Sequence, residues 1–244
     1  MLRGARPCAH SNNNTLGEPM KTLKLALVPL ALAALAGSAG AQQPQQPAAN
    51  QPPPQPMSFF VTSVGKGDGA NLGGLAGADA HCQSLAAAAG RGNVTWHAYM
   101  SAGAQGPNGI VHARDRIGRG PWFNAKGALI ASNVDDLHQD RNNIRKPTAL
   151  NEKGEEVNGV GNTPNMHDML TGSDSTGRLV PGNVTLTTCN NWTSNSAGNA
   201  MLGHHDRLGG PNASWNSVHS SRSCSQPDLV ATGGAGLFYC FAVQ

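Results

Sequence analysis

The first group in this chain that could do chemistry is His204-His205-Asp206. Imidazole and carboxylate are the donors that suit zinc and its neighbours in the transition series. Such a site needs three or four donors, and adjacent residues on a strand point to opposite faces. No third and fourth ligand stands at a metal-site spacing, so His204, His205 and Asp206 read as an exposed loop. Two basic clusters come next: Arg114, Arg116 and Arg119 lie within six residues, and Arg141, Arg145 and Lys146 within another six. Guanidinium forks suit sulfate, phosphate and carboxylate groups. On one shared face the clusters would hold an anionic glycan. The plainer expectation is a solvated surface, with Arg116 paired to Asp115. Trp122, Trp192 and Trp215 have the apolar area to stack on sugar faces, although Trp192, close behind Cys189, reads as core.

Other chemistries lack their parts. A hydrolase needs a nucleophile with base and orienting acid, or paired carboxylates, and no Gly-x-Ser-x-Gly elbow picks out a set. Asp135-Asp136 and Glu155-Glu156 read as solvated loop charge. The glycine-rich stretch 65–77 lacks both the Gly-x-x-x-x-Gly-Lys pattern and the strand, helix and downstream acid of a dinucleotide site. The expectation is a protein that is not an enzyme.

Further elements must position whatever acts. Met20 is followed by Lys21 and Lys24, an apolar run of 14 residues from Leu23 to Ala36, and Ala39-Gly40-Ala41. That is the pattern of a secretory signal peptide over residues 20–41. The run is shorter than the roughly 20 residues needed to cross a bilayer, so no membrane span is expected. Residues 1–19, with Cys8, read as a mis-assigned upstream extension. Residues 42–56 are a Pro/Gln-rich linker too polar to fold. One domain, residues 57–244, follows.

The formal charge of +3 belongs to the leader. Without Arg3, Arg6, Lys21, Lys24 and Glu18, thirteen basic and thirteen acidic residues remain of the 17 and 14. A neutral domain has no global field for nucleic acid or an anionic membrane. Cys82, Cys189, Cys224 and Cys240 are an even set in an exported chain, which argues for two disulfides with three pairings open. Strands are expected at Ser58 to Val64, Thr95 to Ser101 and Gly236 to Val243, the last buried on both faces. A helix is expected from Asp79 to Ala89, with Asp79 as N-cap and Gly90 as C-cap. Trp96, Ala98 and Met100 fall on one face of their strand, and His97 and Tyr99 on the other. Between Ala102 and Asn165 only short pieces stand out, around Trp122-Phe123 and Ala128 to Ala131.

Several motifs fall in a familiar order. They are Gly-Ala-Asp-Ala-His-Cys at 77–82, Ala-Tyr-Met-Ser at 98–101, Ala-Arg-Asp-Arg at 113–116, Thr-Gly-Ser at 171–173 with Gly177-Arg178, Cys-Asn-Asn-Trp-Thr at 189–193, Cys224, and Leu-Phe-Tyr-Cys at 237–240. The chain resembles the endostatin domain of collagens and, more closely, a bacterial family of exported proteins of unknown function with the C-type lectin-like fold. The resemblance implies an α+β, C-type lectin-like (endostatin-like) domain of short helices, small twisted antiparallel sheets and long loops. It also implies a nested pairing, Cys82 with Cys240 and Cys189 with Cys224.

Calcium-dependent members of that fold use Glu-Pro-Asn or Gln-Pro-Asp and a later Trp-Asn-Asp to bind sugar through calcium. Here Gln226-Pro227-Asp228 lies after Cys224 rather than before the second cysteine, and Trp215-Asn216-Ser217 has serine in place of the acid. Gln226 and Asp228 therefore read as a turn and calcium is not expected. The endostatin zinc histidines near the mature N-terminus have no counterpart after Gln42, so no cofactor is expected. The implied function is an exported, periplasmic or secreted, non-catalytic recognition or adhesion module, binding a glycan or an extracellular or envelope protein. The alternatives are an enzyme acting on cell-envelope polymers and a purely structural envelope protein.

Overall fold

A computed structural model describes residue 53, residues 55–104 and residues 109–243. The upstream extension, the signal peptide and all but three residues of the linker lie outside the described residues.

The described chain is α+β. Its strands are β1 (Phe59–Val61), β2 (Trp96–Ala98), β3 (Trp122–Phe123), β4 (Leu129–Ala131), β5 (Asp168–Leu170), β6 (Met201–His204), β7 (His219–Ser220), β8 (Gly234–Leu237) and β9 (Tyr239–Ala242). The helices of more than one turn are α1 (Gly74–Ala88) and α2 (Gln226–Ala231). The strands form a three-stranded sheet β1-β9-β2, a hairpin β3-β4, and a four-stranded sheet β7-β6-β5-β8 that is antiparallel except between β5 and β8. Among the described residues no helix is long and apolar enough to cross a membrane.

The apolar C-terminal run sits where its composition requires. β9 is the central strand, and its register with β1 and β2 sets Phe60 and Ala98 on either side of Cys240. Side chains alternate across a strand, so this sheet feeds two cores. Phe60, Trp96, Ala98, Cys240 and Ala242 face α1 through Ala78, Cys82 and Ala86. Phe59, Val61, Tyr99, Tyr239 and Phe241 pack on the other side with Ile117, Trp122 and Trp215. Each fully buried aromatic contributes about 1.5–3 kcal/mol. The Cys82–Cys240 disulfide ties α1 to β9 through the first core, and Cys189–Cys224 is the second bridge.

Two local expectations need correction. α1 begins at Gly74, so Asp79 is inside the helix rather than capping it. Its Oδ1 accepts from the Ala98 backbone N–H at 2.8 Å. Residues 65–73 are loop, while Gly74 and Gly77 lie inside α1, where a Cβ on Gly77 would fall 1.9 Å from the Leu72 carbonyl oxygen. Gly90 does follow the helix in the left-handed region, with φ 76°. At Cys189–Trp192 the backbone makes a left-handed turn, φ running from 49° to 66°, which costs roughly 1–2 kcal/mol per non-glycine residue. The Cys189–Cys224 bridge and the Trp192 indole N–H, donated to Ser101 O at 2.9 Å, hold it there.

Candidate metal centre

The four-stranded sheet brings together residues far apart in the chain. Asp168 on β5 lies directly opposite His204 on β6, and Leu202 on β6 opposite His219 on β7. Opposed and diagonal residues of antiparallel strands share a face. Asp168, His204 and His219 thus project from three neighbouring strands on the same side. His167, the residue before β5, folds over the same spot, its ring stacked on His204 at 3.9 Å with a 20° interplanar angle.

The contacts centre on one carboxylate oxygen. Asp168 Oδ1 lies 3.0 Å from His204 Nε2, 3.3 Å from His167 Nε2 and 3.6 Å from His219 Nε2. His167, Asp168 and His204 are buried and offer ligand atoms all within 4.8 Å of one another. The Asp168 side chain is 2% exposed, yet neither of its oxygens accepts a hydrogen bond. An ionised carboxylate so placed costs several kcal/mol unless a cation or donor satisfies it. A metal ion among these atoms would do so.

A second layer orients the first. His167 Nδ1 lies 3.4 Å from Asp206 Oδ1, and Asp206 Oδ2 accepts from the Val160 N–H at 2.9 Å. Burial alone would raise the Asp206 pKa, but His167 and the Val160 N–H outweigh it and hold the carboxyl at about 2. Burial likewise opposes charge on His167, while Asp206 and Asp168 prevail and raise its pKa. A carboxylate behind a histidine ligand fixes the ring orientation and proton position. Gly233, at φ 99°, leaves room for that ring, because a Cβ there would stand 3.2 Å from His167 and 2.8 Å from Asn165 Nδ2.

Two imidazoles and a carboxylate, with a third imidazole beside them, suit zinc-class ions. Calcium takes six to eight oxygens instead.

The expected exposed loop at 204–206 is thus corrected: His204, His205 and Asp206 are all buried. Alternation still holds, since only His204 joins the cluster. His205 turns away, its Nε2 3.1 Å from Asn158 O, and burial lowers its pKa against that bond. Gln226 and Asp228 do not form a turn but open α2, whose N-cap Ser225 accepts from the Asp228 N–H. Their side chains are engaged: Gln226 Oε1 accepts from Gly69 N at 3.1 Å, and Asp228 Oδ2 from Ser223 Oγ at 2.7 Å.

The arginines also find protein partners. Arg116 pairs with Asp79 at 2.6 Å, not with Asp115, because α1 carries Asp79 alongside β2. Arg114 pairs with Asp135 at 3.3 Å and Arg141 with Asp136 at 3.1 Å. Arg145 donates to Ile144 O and Lys146 to Asn162 Oδ1, while Arg119 is exposed. Trp215 is 3% exposed and donates its indole N–H to Leu137 O, so it presents no face to a sugar; Trp122 and Trp192 are fully buried.

His167, Asp168 and His219 were missed by sequence reasoning. The available signal was strand pairing: Asp168-Met169-Leu170 and Met201 to His204 are short apolar strands with a donor at the end where they oppose. Compared with known proteins, no family model matches the chain, and no curated protein matches it.

Proposed function

We propose that this chain is an exported, non-catalytic recognition module of the C-type lectin-like fold that carries a zinc-class ion on His167, Asp168 and His204. The observation carrying the metal reading is Asp168, a buried carboxylate with no hydrogen bond and imidazole nitrogens 3.0 and 3.3 Å from one oxygen. The lectin-like reading draws on the motif order, the α+β architecture and the nested disulfides that the resemblance implied. Two disulfides suit an oxidising compartment, in keeping with a periplasmic or secreted site of action. The partner is a glycan or an extracellular or envelope protein. Its contacts do not use the calcium-sugar residues, because Gln226 and Asp228 are spent on internal bonds.

Calorimetric titration of the chelator-treated chain with zinc and with calcium tests the metal reading. One zinc site and no calcium site is the expected result; no zinc binding at millimolar concentration overturns it. A glycan array and envelope fractions, probed with the zinc-loaded chain, test the recognition reading, and silence on both would leave a structural role. The second reading is an enzyme acting on cell-envelope polymers. It is favoured by the three buried donors, since three protein ligands and a water make up a catalytic zinc site.

A further inference from the structure

We infer that His219 is the fourth ligand of this centre, making it a closed site whose ion clasps the loop 205–218. The inference rests on the metal reading and adds its coordination number and role. Zinc bonds of about 2.0–2.2 Å in a tetrahedron set neighbouring donors roughly 3.3–3.6 Å apart. Asp168 Oδ1 stands 3.3 Å from His167 Nε2, 3.0 Å from His204 Nε2 and 3.6 Å from His219 Nε2, and the Nε2 atoms of His204 and His219 are 3.0 Å apart. The set mutually within 4.8 Å is His167, Asp168 and His204, so the His219 ring, its side chain 39% exposed, has to close on His167 as the ion enters. The last two rings meet at 71° with centroids 5.0 Å apart, so their nitrogens converge instead of stacking.

Proton positions point the same way. His219 Nδ1 is 3.1 Å from the Ser220 carbonyl oxygen and His167 Nδ1 is 3.4 Å from Asp206 Oδ1. A proton on each Nδ1 would satisfy those acceptors and leave the Nε2 lone pairs free to ligate. His204 Nε2, 3.0 Å from both Asp168 Oδ1 and His219 Nε2, stands where its own proton or, in its place, a metal ion would bridge the three groups.

The fourth ligand decides what the ion does. His167, Asp168 and His204 belong to β5, β6 and the residue before β5, whereas His219 belongs to an edge strand of two residues. So short a strand contributes little stability of its own. The loop it closes runs through Arg207, a non-glycine residue at φ 43°, and the exposed Leu208. An ion shared by His204 and His219 would fasten both ends of that loop to the sheet. With four protein donors no position remains for water, as in structural rather than catalytic zinc sites.

The test uses the full chain and His219→Ala, loaded with zinc or with cobalt(II) as a spectroscopic substitute. Wild type should give the intense visible bands of tetrahedral cobalt, and zinc should slow amide hydrogen exchange across 205–218. His219→Ala should lose about 100-fold or more in zinc affinity, since even outer-shell changes cost 10–100-fold, and should lose the loop protection. His219→Cys, which restores a ligand, should recover affinity and add a thiolate-to-cobalt absorption, separating lost ligation from lost folding. If wild type binds zinc and His219→Ala matches it in affinity and spectrum, the fourth-ligand assignment is overturned and the three-donor reading stands. If wild type binds no zinc, both fall together.

Discussion

Replacing Asp168 with asparagine should leave the metal-free protein at least as stable as wild type while removing its response to zinc. Asparagine keeps the shape of the side chain and discards its charge. That charge is 2% exposed with neither oxygen hydrogen-bonded, a burial that costs several kcal/mol less what a His167 or His204 imidazolium at 3.3 and 3.0 Å returns. With zinc at about 100 times its dissociation constant, wild type should gain about 2.7 kcal/mol. For a domain of this size each kcal/mol moves the melting temperature by roughly 2–4 °C, so the expected rise is about 5–11 °C, and Asp168→Asn should show none. Differential scanning calorimetry in chelator and in zinc reads both numbers. A variant destabilised by about 2 kcal/mol or more in chelator would show that Asp168 is an ordinary satisfied polar group. An equal zinc shift in both proteins would remove it from the centre.

Other expectations follow from the scaffold. The Cys82–Cys240 and Cys189–Cys224 bridges span 158 and 35 residues, so in the chain-entropy model removing them by paired alanines should cost about 5 and 4 kcal/mol in urea unfolding. Losses under 1 kcal/mol for both would refute that origin of stability. Arg116→Met should cost roughly 1–3 kcal/mol by the same assay, because Asp79 loses its partner while only 22% exposed; no change would mean that solvent screens the pair. Burial, assisted by Arg114 and opposed by the Val134 carbonyl, lowers the His138 pKa below its ordinary 6.5. The unfolded chain then takes up the proton first, so this contribution is complete above pH 6.5 and is lost as pH falls through that value. Measured in chelator at pH 7.5 and 5, His138→Gln should lose less stability on acidification than wild type; equal losses would contradict it.

How much was legible from sequence differs between scaffold and site, for physical reasons. The apolar run at 236–243 has too few polar residues to face water, and it became the central strand β9. The alternation of Trp96, Ala98 and Met100 against Tyr99 predicted the division between the two cores. The helix start was misplaced because Gly73 and Gly74 have poor helix propensity, yet α1 begins at Gly74 with Gly73 as its N-cap. Spacing arguments could not see the site. His204 reads as loop in the sequence because no third and fourth ligand stands at a metal-site spacing and because its neighbour His205 could not share an ion with it from a strand; only the second reason holds, since His205 turns away. Its partners stand 37 and 36 residues upstream and 15 downstream, distances set by loops between strands and carried by no local period. Asp206 was visible as a possible ligand but acts on His167 from behind. Trp215 and Arg116 looked available because exposure depends on long-range packing that a single sequence does not display.

The most direct measurement of the central claim is anomalous diffraction at the zinc edge, from crystals of the chain grown with one equivalent of zinc. The account predicts one strong peak about 2.0–2.2 Å from Asp168 Oδ1 and from the Nε2 atoms of His167, His204 and His219. No peak there, with zinc absent or bound only at surface histidines such as His81 or His112, would contradict it.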